Sequence, residues 1–155
     1  GRRRHDARNG YWRGAWQRHR GSILSRVSTV PIEHLSAIWP LARGFIESAL
    51  ALQKVRRYEA ADILSLLLDG KVRLWVSWDP ELERVEAAIV TEIIQYPRCR
   101  ELLVWLVGSD NMKACAREAY DLLEAFARDG GCSVIGGRLR RGWRLTQSVR
   151  MRGRN

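Results

Sequence analysis

Several functional classes are closed to this chain by what it lacks. It has 155 residues and only three cysteines, Cys99, Cys115 and Cys132, an odd number without CxxC spacing. A structural zinc site needs ligands at regular short intervals, and none are present, so no metal is expected. The same cysteine usage, with no leader-like hydrophobic stretch, points to free thiols in a reducing compartment, the cytoplasm. No apolar run reaches the roughly 18–20 residues that cross a bilayer, so no membrane partner is expected. Of three histidines only His34 falls in the body of the chain, near a helix start. With no companion Ser/Cys/Asp set, hydrolase triad chemistry has nothing to stand on.

Acids are scarce at both ends. Residues 1–26 hold eight arginines and one acid, Asp6, and residues 138–155 hold seven arginines and none. The middle, 27–137, carries sixteen acids against twelve cations, so the net charge of +10 belongs to the ends and the body is mildly acidic. Two readings of the ends follow: solvated extensions, or arms that bind nucleic acid or an acidic surface nonspecifically. Tyr11, Trp12 and Trp16 interleave with arginine and could stack on bases or fold back on the body. The expected organisation is a basic Arg/Trp-rich extension over 1–22, one domain over 23–143, and a basic tail over 144–155.

What is present is a readable series of elements. Ile23 to Val30 is short and β-branched, a strand ending at Pro31. Ile32 to Gln53 carries apolar residues at helical spacing (Leu35, Ile38, Trp39, Ala42, Phe45, Ile46), with a kink or break expected at Pro40. A second helix over Tyr58–Leu68 is expected to bury Ala61, Leu64, Leu67 and Leu68. Val72–Trp78 and Val85–Ile94 alternate around Asp79-Pro80-Glu81-Leu82, a hairpin. Leu102–Val107 is apolar on both faces, as a central strand would be. A loop Gly108-Ser109-Asp110-Asn111 leads into a helix, Met112–Ala127, stopped at Gly130-Gly131, and Cys132–Ile135 is a last short strand. Trp75, Trp78 and Trp105 lie on strands, as core or cleft wall. A strand feeding a helix through a short polar loop leaves backbone N–H groups at the helix start, a place for a phosphate or carboxylate.

This order, with Leu74-Trp75-Val76, Ala87-Ala88-Ile89-Val90-Thr91-Glu92, Tyr96-Pro97, Phe126-Ala127-Arg128, Gly131-Cys132, Gly137-Arg138 and Gly142-Trp143, resembles the GNAT superfamily of acyl-CoA N-acyltransferases, and in particular small GNAT-like proteins of phages and prophages. The resemblance covers residues 27 to 143. It implies an α/β (α+β) fold: a mixed, mostly antiparallel sheet flanked by helices, in the order β-α-α-β-β-β-α-β with an abbreviated C-terminal part. It implies acetyl-CoA as cofactor, with Val107, Gly108, Ser109, Asn111 and Met112 around the pyrophosphate. The family's loop usually reads Gln or Arg, two residues, Gly, one residue, Gly or Ala; Gly108 and the small Ser109 are what remain of it here. Asp110 is read as a helix cap.

By the same resemblance Glu92 is the candidate general base for acetyl transfer to an unidentified amine. As one polar residue in an alternating strand, it reads equally as a solvated position. The alternatives are a non-catalytic protein on the same scaffold, serving in or assembling with phage particle proteins (hence virion association rather than the host cytoplasm alone), and nucleic-acid binding through the basic ends.

Overall fold

A computed structural model describes residues 26–137 and 147–149. Most of both arginine-rich ends, and with them the nucleic-acid reading, lie outside the described residues. Among the described residues six strands form one sheet in simple sequence order: β1 (Val27–Thr29), β2 (Arg73–Asp79), β3 (Arg84–Gln95), β4 (Arg100–Ser109), β5 (Val134–Gly137) and β6 (Gln147–Ser148). Neighbours are antiparallel except β4 and β5, which are parallel and joined by helix α3 (Met112–Asp129). Helices α1 (Ile32–Ala51) and α2 (Ala60–Leu68) fall between β1 and β2.

The two faces of the sheet carry separate cores. On one, Ile38, Ala42, Ile46 and Leu50 of α1 and Ile63 and Leu67 of α2 pack on Leu74, Val76, Ala88 and Val90. On the other, Cys115, Ala119, Leu123 and Ala127 of α3 pack on Trp75, Ile89, Leu102 and Val104. At about 1.5–3 kcal/mol for each large apolar side chain fully buried, these two layers are the main stabilising term. Strands β2, β3 and β4, covered on both sides, are accordingly apolar on both faces.

Four local expectations change. Helix α1 runs through Pro40 without a break. Pro40 is exposed, and the buried stripe continues on both sides of it, so sheet packing holds the helix across the missing hydrogen bond. Helix α2 begins at Ala60, where the Asp62 carboxylate accepts the Glu59 N–H at 2.8 Å, and its buried stripe is Ala60, Ile63 and Leu67. Residues 147–149, assigned by sequence to the tail, join the sheet: β6 pairs with β5, the Val149 N–H donates to the Ser133 carbonyl, and Val149 is buried. Finally, β4 runs on to Ser109, so Gly108 and Ser109 belong to a strand, and only Asp110 and Asn111 link it to α3.

Gly108 has a packing reason. A Cβ there would overlap the Phe45 carbonyl oxygen of α1 and sit 2.8 Å from its carbonyl carbon. Gly44, also on α1, faces open space. The two glycines should therefore respond oppositely to alanine. G108A is expected to cost about 1–3 kcal/mol through overpacking against backbone, while G44A gains about 0.5–1 kcal/mol of helix propensity. Urea unfolding of the two variants measures both, and a neutral G108A would disprove the close approach.

Candidate functional site

Strand β4 stands at the centre of the sheet. Against β3 its ladder extends from Gln95↔Arg100 to Ala87↔Ser109. Against β5 the described ladder runs in parallel from Glu101↔Val134 to Val104↔Gly137, and residues 138–146 lie outside the described residues. The upper half of β4, Trp105 to Ser109, leads directly to the start of α3.

The loop between β4 and α3 is tied down. The Asp110 N–H donates to the Glu86 carbonyl (3.1 Å), and the Ser109 hydroxyl donates to the same oxygen (3.2 Å). The Asn111 N–H in turn donates to Ser109 Oγ (3.0 Å). The Asp110 and Asn111 amides are thus spent within the fold. The helix start itself is less committed: no side chain caps it, no acid lies in its first turn, and Lys113 is exposed there. Amides from Met112 onward, with the macrodipole behind them, suit an anion.

Two β-bulges shape the rest. In the β3–β4 ladder Val90 opposes Leu106 and Thr91 opposes Val104, leaving Trp105 as an extra residue. A bulge shifts side-chain alternation by one. Trp105 and Leu106 consequently both face the α1/α2 layer, while Val104 and Val107 face α3. In the β2–β3 ladder Ser77 opposes Ala87 and Trp78 opposes Val85, leaving Glu86 as the extra residue.

The first bulge builds a cavity of about 260 Å³ on the α1/α2 side of β4's upper half. Its walls are Leu50, Gln53, Val55, Arg57, Tyr58, Ile63, Trp105 and Leu106. The Tyr58 and Trp105 rings meet at 5.2 Å, tilted by 51°. The Trp105 indole N–H donates to Glu92 Oε2 at 2.8 Å. Glu92, half-buried on β3 opposite Leu103, does not itself line this cavity; it lines the neighbouring cleft with Thr91, Arg73, Lys71 and Glu33. The candidate base and the candidate anion site are far apart. From Leu103 to Ser109 is six residues of strand, roughly 20 Å at about 3.3 Å per residue.

The second bulge turns Glu86 inward to a buried polar cluster. Ser77 Oγ donates to Glu86 Oε1 (2.8 Å), and the Arg26 guanidinium donates to Oε2 (2.8 Å), with Asp79 Oδ1 3.8 Å from the same nitrogen. The Arg26 backbone N–H reaches Glu118 of α3 at 2.7 Å. Cys115 packs beside this cluster. Burial pushes its thiol up from 9.0, and the nearby Glu86 carboxylate adds to the effect; Cys132 is raised by burial as well. Folded thiols that keep their protons while unfolded ones release them contribute stability that is present below the ordinary value of 9.0 and lost as pH rises above it. C115A is expected to flatten the alkaline fall in melting temperature. In the native chain a thiol reagent should modify half-exposed Cys99 well before the two buried thiols. Three thiols reacting together would contradict this packing.

Of the residues singled out in the sequence, Val107, Gly108 and Ser109 lie on the upper half of β4, Asn111 and Met112 at the start of α3, and Glu92 beside Trp105. Tyr58, Arg57 and the Arg26–Glu86 pair were not foreseen. The one available signal was Glu86 itself, an acid inside an otherwise apolar strand, which requires a partner when buried.

No protein-family model matches the sequence, and no curated protein matches it. Solved structures do. A ribosomal-protein-alanine N-acetyltransferase from Brucella melitensis biovar Abortus 2308 is 14% identical with a TM-score of 0.56, over 74% of this chain and 80% of that one. An aminoglycoside acetyltransferase from an uncultured soil metagenomic sample, in complex with sisomicin, is 10% identical with a TM-score of 0.55, over 75% and 78%. A predicted acetyltransferase from Clostridium acetobutylicum, solved with acetyl-CoA, is 10% identical with a TM-score of 0.51, over 72% and 78%. Among the described residues no helix is long and apolar enough to cross a membrane. A mostly antiparallel sheet with one parallel pair, β4 and β5, joined by α3, and with helices on both faces, is the fold of the GNAT acetyltransferases, and this chain has it.

Proposed function

We propose that the protein is an acyl-CoA-dependent N-acetyltransferase acting on a small amine. The observation that carries this reading is the β4–α3 junction, where the central strand feeds a helix start that no side chain caps and that has no acid in its first turn, before the chain returns as the parallel strand β5. The residues present fit a long-armed acyl-CoA. An anion-suited helix start stands at one end of β4's upper half, and an acid with a hydrogen-bonded indole stands roughly 20 Å below it. The amides from Met112 onward and the Lys113 ammonium would hold the diphosphate, and the strand from Trp105 through Val107, Gly108 and Ser109 would line the arm, with Asn111 fixing the turn.

When bound, acetyl-CoA supplies the acetyl group as an activated thioester. The chain's own part is to place the amine and take its proton. Glu92 serves as base, with Oε2 held by the Trp105 indole and Oε1 left to accept.

The test is thermal unfolding of the full chain against acetyl-CoA. Specific binding stabilises by about 2.7 kcal/mol at a hundredfold excess over Kd, so the melting temperature should climb with ligand, and a simple acetyl thioester without the nucleotide diphosphate should not reproduce it. A melting temperature that stays flat up to millimolar acetyl-CoA would overturn the transferase reading in favour of a non-catalytic use of the same scaffold.

A further inference from the structure

We infer that the cavity beside Tyr58 and Trp105 selects an amine that carries a carboxylate, of the class of free α-amino acids with branched or aromatic side chains, and rejects polycations. The inference rests on the transferase reading and names its acceptor. Three features point the same way. First, among the described residues no acid lines the cavity, and the one charged wall residue is Arg57. Arg57 makes no ion pair among the described residues, so its guanidinium is left for a ligand anion. It stands in an exposed loop with Lys54 and Arg56, which adds positive potential at the mouth. Second, the other walls are apolar or aromatic (Val55, Ile63, Tyr58 and Trp105 among them), which suits a compact hydrophobic body. Third, the volume of about 260 Å³ admits a molecule of amino-acid size and is small for an oligosaccharide or a folded peptide segment.

Trp105 is shared between the two sites: its ring forms a wall of this cavity, and its indole N–H donates to Glu92, which lines the neighbouring cleft. An amine with several positive charges would meet Arg57 with nothing to offset it.

The experiment is titration calorimetry of the full chain, with and without acetyl-CoA, using L-leucine, L-phenylalanine, L-phenylalaninamide and spermidine, on the wild type and on R57Q. Arg57 is exposed, so R57Q should keep the wild-type melting temperature. The expected result is binding of a free amino acid at least tenfold tighter than of its amide, no binding of spermidine, and loss of the acid-over-amide preference in R57Q. Equal binding of acid and amide, binding of spermidine, an unchanged preference in R57Q, or no binding of either amino acid in both conditions would each overturn the assignment. Because ligand binding is read without turnover, a flat acetyl-CoA response alongside amino-acid binding would sink the transferase reading alone.

Discussion

Replacing Arg26 by alanine is expected to destabilise the fold by about 3–5 kcal/mol, the usual cost of removing one partner from a buried ion pair. Glu86 lies on the bulge of β3 with its side chain 3% exposed, and Arg26 is its only cationic contact among the described residues. Without the guanidinium, the carboxylate keeps one hydrogen bond, from Ser77, and faces Asp79 without a mediating cation. The charge then sits uncompensated among apolar neighbours, which is the expensive situation. A double variant in which Glu86 also becomes glutamine should recover part of the loss, since the remaining amide is neutral and can still bond Ser77. Denaturant unfolding of R26A, E86Q and R26A/E86Q gives the coupling directly. An R26A variant within 1 kcal/mol of wild type would show that the pair is screened like a surface one.

The second large effect concerns Glu92. On the proposed chemistry, E92Q is expected to lower kcat by about 10²–10⁴-fold, the range a positioned base contributes. The substitution is nearly isosteric, and the glutamine carbonyl can still accept the Trp105 indole N–H that Glu92 Oε2 accepts at 2.8 Å. Melting temperature, and its rise with acetyl-CoA, should therefore stay as in wild type. That combination separates a base from a structural acceptor. If kcat falls less than threefold, Glu92 serves only to hold the indole.

The architecture was legible in the sequence because its signals are local. Alternation from Val72 to Trp78, the double-faced apolar run Leu102–Val107 and the amphipathic stretch after Met112 each state their own conformation, and their order gives the sheet. The site was legible only in outline. Glu92 and the β4–α3 junction lie on readable elements, but the bulges do not announce themselves. In Leu102–Val107 every residue is apolar, so nothing in the pattern reveals that side-chain alternation changes at Trp105. Glu86 finds its partner sixty residues away in Arg26, and such pairing has no local trace. Gly108, read as a loop glycine, is instead required by the Phe45 backbone of a helix far earlier in the chain.

The extra residue in β4 has a consequence for how stability and activity are divided. A chain shortened by Trp105 alone would let Leu106 follow Val104 in ordinary alternation, restoring an unbroken ladder to β3 with every other core residue on its present side. What the fold would give up is the packing of that one indole on Tyr58 and the α1/α2 layer. Its deletion would leave a sound scaffold that has lost its acceptor wall and the hydrogen-bond donor to Glu92, so the scaffold and its chemistry are separable at a single codon.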